Sequence, residues 1–125
     1  MANRSFSKVQ SLNKEVKLIA GSFSIAASGG AATKVSGLGY TVAKSGTGEY
    51  TITLSDRYSA LVSAVATVQA ATAVDLVAQI DNHNVSAATP VVVLNINAGA
   101  TPTEPAAVTV VNFVLVLQNS GLAAV

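Results

Sequence analysis

Residues 40–54 read Tyr-Thr-Val-Ala-Lys-Ser-Gly-Thr-Gly-Glu-Tyr-Thr-Ile-Thr-Leu, and this stretch gives the clearest indication of the fold class. Two segments with a two-residue period flank a Ser-Gly-Thr-Gly tip, whose glycines can adopt the positive φ of a tight hairpin turn. In the second segment Tyr50, Ile52 and Leu54 alternate with threonines. The alternation predicts a β-hairpin with one buried side and one solvent-facing side.

Short runs of Val, Ile, Thr and aromatic residues, separated by Gly, Ser, Asn and Pro, continue on both sides of this hairpin. They predict an all-β chain, a single-domain antiparallel β-sandwich or jelly roll over residues 16–125, preceded by an extended N-terminal arm over residues 1–15. Ser28–Gly39 and Asn97–Ala107 are predicted to be long loops. The predicted strands are Val16–Ile25, Tyr40–Lys44, Glu49–Leu54, Leu61–Gln69, Ala73–Ile80, Pro90–Ile96 and Val108–Gln118.

The amino-acid composition argues against several classes of function. Among 125 residues there is no cysteine, which excludes disulfides and thiolate zinc sites. Lys and Arg number 7 against 6 Asp and Glu, so no basic excess points to nucleic acid. No apolar run has the roughly 20 residues of a membrane-spanning helix. Only 10% of the residues are charged while 50% are hydrophobic, which favours a surface covered by partner subunits.

The last predicted strand is apolar on both of its faces. One face carries the odd-numbered residues from Thr109 to Leu117, and the other carries Val110, Asn112, Val114 and Val116. A strand of a sandwich meets the core on one face only, so the second apolar face needs another cover. The simplest cover is a sister subunit of a closed homo-oligomer, and these four residues are the predicted interface.

The residues that could take part in catalysis or ligand binding are explained more simply by their structural roles. The only histidine, His83, stands in Asp81-Asn82-His83-Asn84, a composition typical of an exposed turn. Asp56-Arg57-Tyr58 is interpreted as a solvated turn, with an interface anchor as the alternative. No Gly-x-Ser-x-Gly elbow, carboxylate pair or metal-ligand cluster is recognisable in the sequence. We therefore expect no enzyme activity, catalytic residue, cofactor or metal. A glycan-binding face would have to use tyrosines such as Tyr40 and Tyr58, because the chain has no Trp.

Three stretches carry a family resemblance: residues 4–17, the hairpin within Gly39–Leu54, and residues 111–120, Val-Asn-Phe-Val-Leu-Val-Leu-Gln-Asn-Ser. Together they resemble small virion structural proteins of tailed bacteriophages. The hairpin and the last strand, with its Asn-Phe pair, are also similar to the trimeric jelly rolls of the C1q and tumour-necrosis-factor type, a likeness that implies architecture only.

The phage resemblance implies a capsid decoration, or cement, protein. Such a protein would be a homotrimer that binds the major capsid protein on the outer head lattice, located on the virion surface and made in the bacterial cytoplasm. The arm, with Arg4, Phe6, Lys8 and Val9, would extend onto the shell. Two alternatives stay open at this point: a module of a tail, spike or fibre, and a receptor- or glycan-binding β module using Tyr40 or Tyr58.

Overall fold

The computed structural model describes residues 16–118, which form two packed antiparallel sheets and confirm the predicted β-sandwich. Sheet A has the strand order β2-β1-β9-β5, and sheet B has the order β3-β4-β7-β6, with the short β8 paired to one end of β7. The strands are β1 Val16–Ile25, β2 Ala32–Gly37, β3 Tyr40–Gly46, β4 Glu49–Leu54, β5 Ala60–Ala70, β6 Val77–Asn84, β7 Val91–Ala98, β8 Thr101–Pro102 and β9 Thr109–Gln118.

The core lies between the sheets and follows from the two-residue period of the strands. Every second residue of β4, β7 and β9 points inward and is buried, while its neighbours are half-buried or exposed, except for the buried Asn97. The buried residues include Phe23 and Ile25 of β1, Ile52 and Leu54 of β4, Val92, Leu94 and Ile96 of β7, and Val111, Phe113, Leu115 and Leu117 of β9.

The hairpin of residues 40–54 forms as predicted, as β3 and β4 in antiparallel register. Gly48 in its tip has a φ of 63°, and a Cβ added there would lie 2.6 Å from the backbone nitrogen of Thr103. The backbone of residue 48 also takes part in the sheet, because its carbonyl accepts a hydrogen bond from the amide of Ile96 at 2.7 Å. A glycine is therefore required at this position.

The side chain of Tyr40 connects the two sheets at the point where the chain passes from sheet A to sheet B. Tyr40 begins β3 and packs edge-to-face on Phe113, with ring centroids 4.9 Å apart and an interplanar angle of 81°. Its Oη lies 2.9 Å from the carbonyl oxygen of Ser22 and 2.5 Å from that of Ser36. Gly21 faces this ring, and a Cβ there would approach the ring atom Cε1 to 2.5 Å. The missing side chain at position 21 makes room for the ring.

Several predicted boundaries were wrong. The predicted loop Ser28–Gly39 contains strand β2, which pairs with β1. The predicted loop Asn97–Ala107 begins with the end of β7 and contains β8. Strand β6 begins at Val77 and runs to Asn84, so His83 and Asp81 lie in a strand instead of a turn. The jelly-roll alternative stays a prediction, and the predicted arm with Arg4, Phe6, Lys8 and Val9 lies outside the described residues.

Candidate interaction surface

The four residues predicted as an interface lie in one row on β9. Val110, Asn112, Val114 and Val116 alternate with the buried residues of the same strand, so they point away from sheet B. Their exposure in the protomer ranges from half-buried to 42% for Val114. The predicted division of this strand into a core face and an outer face is confirmed.

The strand pairing brings further apolar residues to this row. On one side Leu18 of β1 lies opposite Val116, and Ala20 lies opposite Val114. On the other side Val65 of β5 lies opposite Val114. Leu18 is 63% exposed and Val65 is 59% exposed. These five residues, called the apolar patch below, occupy neighbouring positions on three adjacent strands.

Sequence reasoning identified the β9 half of the apolar patch and missed Leu18, Ala20 and Val65. The signal for β1 was present, because Leu18 and Ala20 flank Ile19 and give that strand an apolar outer side as well. The signal for β5 was weak, since Val65 lies among Ser, Ala and Thr. Only the register between the strands shows that these residues meet Val114 and Val116.

The remainder of the outer face of sheet A is uncharged and mostly polar, with Val16 and Val110 as apolar members. Ser22 of β1 and Ser36 of β2 share a hydrogen bond of 2.8 Å between their hydroxyls. Asn112 of β9 donates from Nδ2 to Oε1 of Gln69 on β5 at 3.2 Å. Residues of β1, β5 and β9 that share this face include no Asp, Glu, Lys or Arg. Covering this face desolvates no ion, and these hydroxyl and amide side chains keep the hydrogen bonds that they make to each other.

The corresponding face of sheet B has a different character. Thr51 and Thr53 of β4 alternate with the buried residues of that strand. Asn95 of β7 lies in register between Glu49 of β4 and Gln79 of β6. Val91 and Val93 of β7 lie on the same face, but Glu49, Asn95 and Gln79 give it charged and amide groups next to one another. The contrast marks the outer face of sheet A as the better candidate for an interaction surface.

The tyrosines named for glycan binding are buried. Tyr40 and Tyr58 are 2% and 4% exposed, so neither offers a platform to a sugar ring. Burial raises the pKa of Tyr40 above its usual value, and the hydrogen bond to the carbonyl of Ser22 opposes this shift. Burial also raises the pKa of Tyr50, and the negative charge of Glu104 raises it further. The aromatic residues therefore hold the core together.

The remaining polar residues named from the sequence are dispersed. His83 and Asp81 are exposed on β6. Arg57 donates from Nε to the carbonyl of Ser86 at 3.1 Å, and Asp56 lies 3.9 Å from Nζ of Lys17. Within residues 16–118 no group of three or more His, Cys, Asp or Glu side chains could hold a metal ion. No helix in this range is long and apolar enough to cross a membrane.

One shallow depression lies beside the loop between β5 and β6. Its volume is about 300 Å³, and Thr72 supplies the only polar side chain in its lining. A lining without a base, acid or cation gives no chemistry for catalysis. The other lining residues are Val68, Ala70, Ala71, Ala73, Val74 and Leu76.

A charged pair ties two loops to the hairpin. Nζ of Lys44 on β3 donates to the carbonyl oxygen of Gly29 at 2.5 Å and also bonds a carboxylate oxygen of Glu104. Both side chains are about 30% exposed, so the pair is only partly screened by water. All three groups find partners within the fold, which indicates a structural clamp between the loop around Gly29 and the loop before β9.

Comparison with known proteins adds no relative. No family model matches the chain, and no curated protein or solved structure matches it.

Proposed function

We propose that the chain is a structural protein of a bacteriophage virion, a capsid decoration protein that binds the outer head lattice as a homotrimer. The observation that carries the proposal is the apolar patch of Leu18, Ala20, Val65, Val114 and Val116 on an uncharged sheet face. Such a face is expected to be covered by a partner, and a sister subunit is the partner that every expressed copy finds. The sequence resemblance to phage virion proteins supplies the location.

The proposed action is mechanical. A trimer that contacts several capsid subunits at once gains avidity, because the first contact raises the effective concentration of the others. Many copies on a lattice would then oppose the pressure of packaged DNA with individually weak contacts. A sandwich with a clamped hairpin and a buried apolar core suits this task, since its protomer keeps its shape under load.

The test uses heads of a tailed phage whose genome encodes the chain, assembled without it. The chain contains no cysteine, so Thr89→Cys in the exposed loop between β6 and β7 gives one site for a gold label. Labelled chain is added to the heads and the particles are imaged by electron microscopy. The proposal expects gold in groups of three at regular positions of the head lattice. Heads with bound chain are expected to release their DNA at a higher temperature.

The control is the same labelled chain carrying Val114→Lys, which is expected to lose both the grouping and the stabilisation. Gold on tails or fibres would move the protein to the alternative location, and the head assignment would then be wrong. Binding to neither structure would overturn the virion proposal. Binding to a glycan array would favour a receptor module, although the burial of Tyr40 and Tyr58 removes the residues first expected to provide it.

A further inference from the structure

Strand β5 forms one edge of sheet A as built from residues 16–118. It spans Ala60–Ala70, with the sequence Ala-Leu-Val-Ser-Ala-Val-Ala-Thr-Val-Gln-Ala, and it contains no charged residue and no proline. An edge strand presents a row of free backbone N–H and C=O groups to any other strand. Natural proteins block this pairing with charges, proline or bulges, and β5 has little of this protection.

The other sheet edges of the described sandwich are each protected by a charge. Strand β2 carries Lys34, strand β3 carries Lys44 and strand β6 carries Asp81. The only irregularity in the pairing of β5 lies near its start, between Leu61 and Ser63, and the pairing continues regularly to the end of the strand. The longest edge is therefore also the one without charge.

The inner side of β5 is also incompletely covered. Ala64, Ala66 and Val68 point toward sheet B but are only half-buried, whereas the inner residues of β9 beside them are buried. Across the gap, Ala78 and Ile80 of β6 are half-buried as well. These side chains pack against the core where β5 and β6 approach each other, and a further strand beside β5 would bury them more fully.

We propose that the free edge of β5 binds β5 of a second copy of the chain, antiparallel and about a two-fold axis, joining two A sheets into one. Two antiparallel copies of β5 are compatible, because each residue lies opposite an uncharged small, β-branched or amide side chain. No like charges face each other across the pair. Residues 1–15 are a poorer match, since they include Arg4, Lys8, Lys14 and Glu15 and lack a two-residue alternation. This inference depends on the edge alone and is independent of the proposed function.

Disulfide trapping in the full-length chain tests the pairing, because the wild-type chain has no cysteine. Single cysteines are placed at consecutive positions of β5, from Ala64 to Gln69, and each variant is incubated at high protein concentration in a glutathione buffer. A residue on the two-fold axis faces its own copy at a Cα separation that a disulfide can bridge. We expect one maximum of crosslinked dimer at Ala66 or Thr67, in the middle of the regular segment, and a decline on both sides.

The matched control is Thr41→Cys on β3, another exposed edge position. We expect the β5 maximum to exceed this control about tenfold, because pairing raises the local thiol concentration. Equal crosslinking at all positions would reflect random collisions and would overturn the inference. The scan is repeated with residues 1–14 deleted, and a maximum that appears only after this deletion would show that the arm occupies the edge, which also contradicts it.

Repeating the cysteine scan in a Val114→Lys background distinguishes pairing at the β5 edge from contacts through the apolar patch. Val114→Lys changes the outer face of sheet A and leaves the β5 edge intact. We expect the crosslinking maximum to survive in this background. If the maximum disappears together with the trimer, crosslinking reports contacts across the outer face, and the edge inference is wrong. If the wild-type chain forms no trimer and the maximum is still present, the proposed function fails and the edge inference stands.

Discussion

Gly21→Ala tests how tightly Tyr40 is held in the core. The added Cβ would lie 2.5 Å from Cε1 and from Oη of Tyr40, and 2.7 Å from Cζ. Favourable carbon contacts begin at about 3.5 Å, so the ring must move by about 1 Å. The ring cannot move freely, because it packs edge-to-face on Phe113 and its hydroxyl lies between the carbonyls of Ser22 and Ser36.

The magnitude follows from these contacts. Overpacking a close-packed core costs about 1–3 kcal/mol, and a lost buried hydrogen bond adds about 1 kcal/mol. We therefore expect Gly21→Ala to lower the free energy of unfolding by about 2–4 kcal/mol, measured by urea titration with circular dichroism. In a Tyr40→Leu background the ring is absent, so the same glycine substitution should cost much less. The difference between the two backgrounds is the coupling energy of the double-mutant cycle.

Gly46→Ala serves as the control, because a Cβ at position 46 meets its nearest atom, on Glu49, at an ordinary distance of 3.5 Å. Its effect should be about 0.5 kcal/mol or less. A Gly21→Ala variant as stable as this control would refute the argument that the glycine makes room for the ring. Equal costs of Gly21→Ala with and without the tyrosine ring would refute it as well.

Three further predictions concern the hairpin and its surroundings. Burial raises the pKa of Tyr40 and Tyr50, so the stability they contribute is fully present below their unfolded pKa near 10 and is lost as the pH rises through their folded pKa values. Urea titrations at neutral pH and near pH 11 should show this loss, and replacing both tyrosines by phenylalanine should reduce the pH dependence. Lys44→Met breaks the contact with Glu104 and should cost about 1–2 kcal/mol by urea titration. Gly48→Ala places a side chain at a φ of 63° and should lower the free energy of unfolding by about 1–3 kcal/mol.

An unchanged alkaline dependence after removal of both tyrosine hydroxyls would show that other groups cause it. For the Lys44 pair the control is Lys17→Met, whose 3.9 Å contact with Asp56 is largely exposed and should contribute little. Equal effects of the two lysine substitutions would contradict the clamp. A Gly48→Ala variant as stable as wild type would mean that the hairpin tip accepts a side chain.

Strands with a strict two-residue period could be predicted from the sequence. The alternation of Tyr50, Ile52 and Leu54 with threonines identified β4, and the two apolar faces of residues 108–118 identified β9 with the correct inner row. In both strands the side chains alone distinguish the core face from the outer face, so no knowledge of partners is needed.

Elements held by tertiary pairing escaped prediction. Strand β2 lies among glycines and serines, and its register with β1 shifts between Ser22 and Phe23, which hides the alternation. The Asn-rich segment around His83 suggested a turn, but it pairs with β7 as an edge strand whose exposed side tolerates polar residues. Only the β9 residues of the apolar patch were predicted, because the neighbours of Val114 on β1 and β5 depend on strand register.

The most direct test of the proposed assembly is the mass of the purified full-length chain at low micromolar concentration, measured by light scattering. At this concentration the apolar patch is expected to be covered and the weaker edge contact of β5 to be open. We expect three protomer masses for the wild-type chain and one for Val114→Lys. Leu38→Lys, at an 86% exposed turn position outside the patch, should keep three. A monomeric wild-type chain, or a Val114→Lys variant with unchanged mass, would show that the outer face of β9 faces water and would contradict the account.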